Sequence, residues 1–215
     1  MIGINLIKKN KMTLGVIDIG IGNLGSLKSA LNKLQISFRS CSEKEDFENI
    51  NKIILPGVGN FKKFMSVLES KKIDKVINYK IEQNASLLGI CLGFQILFDK
   101  SDEDGPTNGL KILKGEFKHL NEVSKDIKVP HTGWNECTFK KKNKLFNEIP
   151  DKSDFYFTHK FYLKNYDDKV VISKTNYHLD FVSSVSNKKI YGVQFHPEKS
   201  QLNGLKLLKN FAENC

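Results

Sequence analysis

The sequence lacks any apolar run long enough to cross a membrane, and it contains few cysteines, few prolines and a single arginine. A membrane-spanning helix needs about 20 consecutive apolar residues, and no window of this chain approaches that length. The N-terminal segment has no long apolar core followed by small residues, so a secretory signal peptide is not expected either. We therefore expect neither a membrane protein nor a secreted one.

The four cysteines, at positions 41, 91, 137 and 215, form no Cys-x-x-Cys pair and no cysteine–histidine set with metal-ligand spacing. We therefore expect no disulfide framework, no metal site and no bound cofactor. Because a reactive thiol favours a reducing compartment, the sequence predicts a cytosolic protein.

Lysine, by contrast, is abundant: 34 basic against 24 acidic residues give a formal net charge of +10. A basic excess can indicate nucleic-acid binding. Here the excess is spread along the chain, arginine is nearly absent, and aromatic residues do not alternate with basic ones as in a stacking groove. A lysine-rich solvated surface is the better interpretation, and an anionic protein partner stays open.

Strand-like and helix-like segments alternate through the first half of the chain, which predicts a mostly parallel sheet with helices on both faces. After residue 109, short strand-like runs alternate with turns, which predicts a smaller antiparallel sheet in the C-terminal half. We expect an N-terminal extension at 1–12 and one α/β domain at 13–215. The expected strands are 13–19, 36–41, 52–55, 117–120, 155–163, 170–175, 181–185 and 190–195, and the expected helices are 26–34, 61–68, 73–84 and 202–213.

The turn at 20–25 reads Gly-Ile-Gly-Asn-Leu-Gly and superficially matches a dinucleotide-binding turn. Such a site needs an acidic residue about twenty positions further on, at the end of the second strand, to hold ribose. Glu43 and Glu45 fall nearby, but the strand before them carries Phe38, Arg39 and Ser40 instead of an apolar run into an acid. A nucleotide site is therefore not favoured.

A cysteine between two glycines follows the apolar run Leu87-Leu88, since residues 89–95 read Gly-Ile-Cys-Leu-Gly-Phe-Gln. Glycines on both sides remove the Cβ atoms that would clash in a sharp strand-to-helix turn, and such a turn pushes a nucleophile out of the sheet edge. The residue after Cys91 then begins a helix, and its backbone N–H is free to stabilise an oxyanion. The alternative is a small cysteine buried in the core.

A second segment strengthens the catalytic interpretation: residues 190–198 read Ile-Tyr-Gly-Val-Gln-Phe-His-Pro-Glu. The run to Phe195 is apolar and β-prone, so His196 lies at a strand end with Glu198 two residues beyond it. In extended backbone these two side chains point the same way, so the carboxylate can orient the imidazole while its other nitrogen faces a thiol. With Cys91 they would form a nucleophile–base–orienter triad. The alternative is a surface loop with a stray histidine and glutamate.

Four further segments are Asp-Ile-Gly-Ile-Gly-Asn at 18–23, Leu-Pro-Gly-Val-Gly at 55–59, Pro-His-Thr-Gly-Trp-Asn at 130–135 and Tyr-Phe-Thr-His at 156–159. Together with the two catalytic segments, they resemble the triad-type, class I glutamine amidotransferases. More narrowly, the chain resembles the glutaminase subunits of imidazole glycerol phosphate synthase, an enzyme of the histidine pathway. The resemblance covers nearly the whole chain from residue 13 onward.

This resemblance implies a flavodoxin-like α/β fold and the hydrolysis of L-glutamine. Cys91 would attack the side-chain amide, His196 would act as base and then acid, and Glu198 would orient the imidazole. Ammonia would leave, and water would hydrolyse the resulting γ-glutamyl thioester to glutamate. The oxyanion hole would use the N–H of Leu92 and a donor from the Gly57-Val58-Gly59 loop, whose glycines permit a backbone flip.

By the same resemblance, Gln95, Glu103 and the backbone near His159 and Lys160 would hold the α-amino and α-carboxylate groups of glutamine. Gln95 lies about one helical turn beyond Cys91 on the same face, so its side chain can line the pocket. The site residues implied for substrate binding therefore come from widely separated parts of the chain.

The resemblance also implies that ammonia is not released to solvent. Members of the family dock on a (β/α)₈-barrel subunit, through which ammonia reaches a nucleotide-like substrate. Trp134 is the only tryptophan and fits a docking face, because tryptophan is enriched at interface hot spots; a core aromatic is the alternative. Lys199 would pair with a carboxylate of the barrel, and a solvated lysine is the alternative.

Two departures from the family pattern fall near the pocket or the docking face. Thr132 stands where methionine is usual, and Lys160-Phe161 stand where a small hydroxyl residue and a tyrosine are usual. A changed partner would fit a paralogous subunit, which in some bacteria supplies ammonia for amidino sugars of surface glycans. Two other classes are disfavoured. A non-enzymatic binding module would have a broken triad, and the related Cys/His hydrolases place histidine just after the nucleophile, where Leu92 stands.

Overall fold

The computed structural model describes residues 13–22 and 24–215, so the expected extension at 1–12 lies outside the described residues. The helices are α1 Gly25–Lys33, α2 Phe61–Ser70, α3 Ile73–Glu82, α4 Leu92–Gln95 and α5 Gln201–Asn214. The strands are β1 Thr13–Ile17, β2 Phe38–Cys41, β3 Ile50–Gly57, β4 Ser86–Cys91, β5 Lys100–Ser101, β6 Thr107–Asn108, β7 Glu116–His119, β8 His131–Phe139, β9 Ser153–His159, β10 Phe161–Lys164, β11 Val171–Asn176, β12 Asp180–Asn187 and β13 Ile190–Val193.

A nine-stranded sheet in the order β2-β1-β3-β4-β13-β12-β11-β8-β9 forms the centre of the fold. Its first five strands pair in parallel, and the remaining four continue it in antiparallel orientation. Because β4 and β13 are parallel neighbours, their carboxyl ends meet at the same edge of the sheet. Cys91 is the last residue of β4, and His196 comes shortly after the end of β13, so both lie at this edge.

Helices cover both faces of this sheet. In β3, Ile53 and Leu55 pack in one core with α2 and α3, whereas Ile54 packs in a second core with α1 and α5. A strand buried on both faces reads as a continuous apolar run, and this explains why β3 was predictable. Across the described part of the chain, no helix has both the length and the apolar character needed to span a membrane.

The expected α/β class is confirmed, but the antiparallel strands are arranged differently from the expectation. The strands of the C-terminal half extend the large sheet, because β12 returns as β13 in a tight hairpin and keeps its pairing. The smaller, four-stranded sheet, in the order β10-β7-β5-β6, comes mainly from the middle of the chain. The single strand expected at 155–163 is broken at Lys160, since β9 belongs to the large sheet and β10 to the small one.

Candidate active site

The turn between β4 and α4 carries Cys91 in a strained backbone conformation, with φ 52° and ψ −107°. A Cβ added to Gly89 would lie 2.6 Å from the carbonyl oxygen of Gly93, and one added to Gly93 would lie 1.7 Å from the carbonyl oxygen of Leu55. Both glycines are therefore required for the helix to approach the strands this closely. The predicted elbow has the backbone geometry of a nucleophile turn.

His196 lies beyond the end of β13 and is oriented by Glu198. Its Nδ1 donates to Glu198 Oε1 at 2.7 Å, and the hydroxyl of Ser200 donates to the His196 carbonyl at 2.6 Å. Within the described residues, His196 Nε2 is buried and meets no acceptor with hydrogen-bond geometry. Nε2 is thus the nitrogen available to exchange a proton with a group in front of it.

That group is Cys91, which lines the same cavity as His196. Burial lowers the pKa of His196, but the charge of nearby Cys91 and the hydrogen bond and charge of Glu198 outweigh burial and raise the pKa to about 10. A histidine with such a raised pKa carries a proton at neutral pH, so the imidazolium beside Cys91 can stabilise negative charge on the sulfur, and a deprotonated sulfur is the reactive form of a cysteine nucleophile.

The cavity has a volume of about 410 Å³, which suits a small-molecule ligand. Residues expected at the site from distant parts of the sequence meet in its lining, whereas Gly57 and Glu198 are not part of it. The expected residues in the lining are Val58, Cys91, Leu92, Gln95, Glu103, His159, Lys160 and His196. Among residues 13–22 and 24–215, no group of three or more histidine, cysteine or acidic side chains could hold a metal ion.

Glu103 joins the cavity to the beginning of α2. Its Oε2 accepts a hydrogen bond from the backbone N–H of Phe61 at 2.7 Å. Burial raises the pKa of Glu103, and that hydrogen bond opposes the rise. A half-buried carboxylate with one oxygen held in place is suited to receive a ligand ammonium on the other.

Gln194 is a site residue that the sequence analysis did not single out. Its side-chain amide donates to Cys91 Sγ at 3.8 Å, while its Oε1 accepts from Gln95 Nε2 at 3.1 Å. The signal was present in the sequence, because the expected strand at 190–195 places Gln194 two residues before His196, and side chains with that spacing in extended backbone point the same way. Gln194 therefore contacts two residues of the cavity lining, Cys91 and Gln95.

The Gly57-Val58-Gly59 loop approaches the elbow closely. A Cβ on Gly57 would lie 2.8 Å from the Gly93 nitrogen and 2.9 Å from Leu92 Cβ, so Gly57 is required by packing and not by backbone freedom. Gly59, with φ +104° and open space around it, has the freedom that was expected of both glycines.

Gly22, from the glycine-rich segment that begins at Gly20, packs against the same loop. A Cβ on Gly22 would lie 2.7 Å from Val58 Cγ2. Close packing between two loops therefore accounts for glycine at this position, and a phosphate is not needed to explain it.

Two of the departures from the family pattern now have a structural account. Thr132 and Thr158 are opposite each other in the β8–β9 pair, and their hydroxyls hydrogen-bond at 3.2 Å. Thr158 lines the cavity, and its carbonyl lies 3.8 Å from Cys91 Sγ. Lys160 occupies the break between β9 and β10, where the chain passes from one sheet to the other.

An exposed aromatic patch lies on the same strands. Trp134 is 47% exposed, so the alternative of a core aromatic is wrong. Its ring lies 6.0 Å from that of Tyr156, and Lys199 Nζ lies 5.6 Å from the centre of the same tyrosine ring. The structure thus brings together the two residues expected at a docking face and adds Tyr156 between them.

Comparison with known proteins matches this fold and site to one family. Residues 15–215 match the family described as "Glutamine amidotransferase class-I". The chain belongs to this family and is a glutamine amidotransferase, as the sequence analysis expected.

Its relatives narrow the assignment further. The chain is 42% identical over 200 residues to "Imidazole glycerol phosphate synthase subunit HisH" of Moorella thermoacetica, which covers 93% of this chain and 94% of that protein. It is also 42% identical over 199 residues to the subunit of the same name from Pyrococcus furiosus, covering 92% and 97%. Among solved structures, that of PurLQS from Thermotoga maritima has a similar fold, with a TM-score of 0.73 at 20% identity, covering 93% of this chain and 97% of that one.

Proposed function

We propose that this chain hydrolyses L-glutamine to glutamate and ammonia in the cavity above the elbow. The observation that carries the proposal is the arrangement of three groups: Cys91 on a strained turn, His196 beside it, and Glu198 at 2.7 Å from the far imidazole nitrogen. The sequence similarity to imidazole glycerol phosphate synthase subunits supports the same reaction.

In the first step, His196 Nε2 already holds the proton taken from Cys91 Sγ, and the sulfur attacks the side-chain amide carbon of glutamine. The tetrahedral oxyanion would be stabilised by the N–H of Leu92 and by a donor from the loop at Val58. Losing one such donor typically costs about 3 kcal/mol of transition-state stabilisation. His196 then protonates the departing nitrogen, and ammonia leaves a γ-glutamyl thioester on Cys91.

Water completes the cycle. His196 accepts a proton from the water as it attacks the thioester carbonyl, and returns that proton to the sulfur as glutamate departs. Gln194, which donates to Cys91 Sγ at 3.8 Å, would stabilise the thiolate before attack and after release. Glu103 would bind the α-ammonium of glutamine, and Lys160 with the neighbouring backbone would bind its α-carboxylate.

Glu198→Gln tests the orienting carboxylate. The charge and hydrogen bond of Glu198 raise the pKa of His196, so glutamine at this position is expected to lower it. The basic limb of the pH profile of kcat/KM should therefore move to lower pH, and kcat should fall on the order of 10³-fold. Both are measured by ammonia release across a pH series.

The exposed carboxylate of Glu136 on β8 provides the matched control, as Glu136→Gln should leave the profile unchanged. A Glu198→Gln enzyme with the wild-type basic limb would exclude Glu198 as the partner of the imidazole during turnover.

We also propose that the ammonia passes to a (β/α)₈-barrel subunit, as part of a cytosolic heterodimer in histidine biosynthesis. The patch of Trp134, Tyr156 and Lys199 supports docking, because an exposed tryptophan next to a partly buried tyrosine and a lysine is typical of an interface hot spot. The relatives' names as synthase subunits support the same partner class. Co-purification from the source cell would identify the partner, and recovery of a glycan-pathway homologue would favour the paralogous role instead.

Trp134→Ala tests the docking face. Because Trp134 is exposed and does not line the cavity, its loss should weaken binding of the barrel subunit by roughly 30-fold while glutamine hydrolysis by the isolated chain stays within twofold. Titration calorimetry with the purified barrel subunit measures the first quantity. Tyr79→Ala, which removes a 58% exposed aromatic from α3, should leave the affinity unchanged. Equal affinities of the Trp134 variant and wild type would exclude this patch as the interface.

A further inference from the structure

A chain of hydrogen bonds runs behind the wall of the glutamine pocket, and the catalytic scheme above does not use it. His131 Nδ1 lies 2.9 Å from His159 Nε2, and His159 Nδ1 lies 2.8 Å from the carbonyl oxygen of Phe161. Both imidazoles are buried, with exposed fractions of 3% and 5%. His159 and Phe161 line the cavity, and His131 lies in the layer behind them.

The position of each proton in this chain follows from its two ends. A carbonyl oxygen only accepts, so His159 Nδ1 must donate to Phe161. In a neutral ring His159 Nε2 then accepts, and His131 Nδ1 must be its donor. His131 Nε2 is left as an acceptor, and the side-chain amide of Asn135 donates to it at 3.3 Å.

The orientation of the Asn135 amide is fixed as well. Its Oδ1 accepts from the backbone N–H of Glu136 at 2.8 Å, so the nitrogen faces His131. The second hydrogen of that nitrogen goes to the carbonyl of Asn176 at 2.9 Å. Donors and acceptors therefore alternate without conflict from Asn135 to Phe161.

Both rings are held neutral and rigid. Burial lowers the pKa of His131 to about 4, and burial together with the adjacent His131 lowers the pKa of His159 to about 3. The His131 ring is stacked between Tyr177, at 4.0 Å between ring centres, and Phe157, at 4.9 Å. A ring clamped on both faces keeps its Nδ1 aimed at His159.

This chain of hydrogen bonds ends at the bend where β9 leaves the large sheet and β10 enters the small one. The same bend is anchored from the other side by the backbone N–H of Leu120, which donates to the Lys160 carbonyl at 2.9 Å. Residues 159–161 all line the cavity. The path of this segment therefore determines the shape of one wall of the pocket.

We propose that His131 is a positioning residue for the glutamine pocket: it holds His159 in the tautomer that bonds Phe161 and so sets the bend at 159–161 against which the α-groups of the substrate bind. The inference rests on the proposed glutaminase function. His131 does not exchange protons with Cys91 or with substrate, so its removal should affect substrate binding more than the chemistry of the thiol.

The test compares His131→Leu with His131→Asn, using two electrophiles that report different properties of the site. A diazo-ketone analogue of glutamine needs the wall that binds the α-groups, whereas iodoacetamide needs only an accessible, reactive Cys91. In His131→Leu we expect labelling of Cys91 by the analogue to slow about tenfold and the KM for glutamine to rise by a similar factor. Labelling by iodoacetamide and kcat should stay within twofold of wild type.

His131→Asn should restore most of the lost rate, because the asparagine amide nitrogen occupies nearly the position of imidazole Nδ1 and can donate to His159. Asn135→Leu removes the donor to His131 Nε2 at a partly exposed position, and we expect a smaller slowing of about threefold. Asn135→Leu keeps the inference testable if His131→Leu does not fold. Cys137→Ala is the control: Cys137 is buried on β8, as His131 is, but makes none of the hydrogen bonds from Asn135 to Phe161, so both labelling rates should stay unchanged.

Several outcomes would overturn the positioning role. These are equal rates for His131→Leu and wild type with the analogue, equal slowing with both electrophiles, or no rescue by asparagine. If His131→Leu does not fold, a wild-type analogue rate in Asn135→Leu has the same meaning. If the wild-type protein itself shows no selective labelling of Cys91 by the analogue, the proposed glutaminase function fails, and this inference fails with it.

Discussion

Replacing Cys91 with alanine is expected to lower kcat for glutamine hydrolysis by at least about 10⁴-fold, because no other group in the cavity can form the thioester. Binding should persist, since the residues proposed to hold the α-groups are unchanged. The measurement is ammonia release at saturating glutamine, together with calorimetric titration of glutamine into the inactive variant. A variant that binds glutamine and does not turn it over would separate the nucleophile from the rest of the pocket.

The other cysteines serve as internal controls. Burial raises the pKa of Cys41 to about 11 and that of Cys137 to about 12, so neither is a thiolate at neutral pH. Burial also raises the pKa of Cys215. Cys215→Ala should therefore retain wild-type turnover. Mass spectrometry after treatment with the diazo-ketone analogue should find the label on Cys91, and label on the other cysteines with Cys91 untouched would refute the assignment.

The features that the sequence predicted well are those whose causes are local. The elbow depends on glycines two residues to either side of Cys91, and alanine in place of Gly89 would clash with Gly93 of the same turn. The orientation of His196 by Glu198 joins residues only two positions apart, although Pro197–Lys199 form a short 3₁₀ helix and not the extended backbone that was expected. Such short-range causes are fully expressed in the order of residues, so the catalytic groups could be proposed before the fold was known.

The features that were missed depend on which strands pair. His131 meets His159 only because β8 lies antiparallel to β9 in a register that places these two residues opposite each other. Gln194 reaches Cys91 only because β13 is the parallel neighbour of β4. Neither register can be read from either strand alone, because a shift of one residue would turn every side chain to the other face.

The break at Lys160 shows the same limit. The run at 155–163 alternates like one long strand, and its apolar side chains fit that interpretation. The division into β9 and β10 arises because β10 pairs with β7, an element from a different part of the chain. A local pattern can therefore predict extended backbone here, but it cannot predict a change of sheet, and the pocket wall is built at that change.

Gly93→Ala is expected to be the most damaging glycine-to-alanine substitution in the elbow, although alanine is the better helix former. Gly93 lies in α4, where helix propensity alone would favour alanine by about 1 kcal/mol. The added Cβ, however, would lie 1.7 Å from the carbonyl oxygen of Leu55 and 2.8 Å from its carbonyl carbon. Because these are backbone atoms of a central strand, no change of rotamer can relieve the overlap.

The helix must therefore move away from β3. Overpacking of a core typically costs about 1–3 kcal/mol, and a clash with central backbone belongs at or above the upper end, so we expect the free energy of unfolding to fall by about 3 kcal/mol. The same movement displaces Leu92 N–H and Cys91 relative to His196. Turnover by the folded fraction should then fall at least about 10²-fold, since misplacement of about 1 Å is enough for a loss of that size.

Urea unfolding and ammonia release measure the two effects, and Gly105→Ala is the matched control. Gly105 has φ +91° and nothing within 4 Å of its Cβ position, so alanine there should cost only the backbone strain of about 1–2 kcal/mol and leave turnover unchanged. A Gly93→Ala protein as stable and as active as wild type would contradict the close contact between helix and strand, because the geometry of the elbow leaves no room for that methyl group.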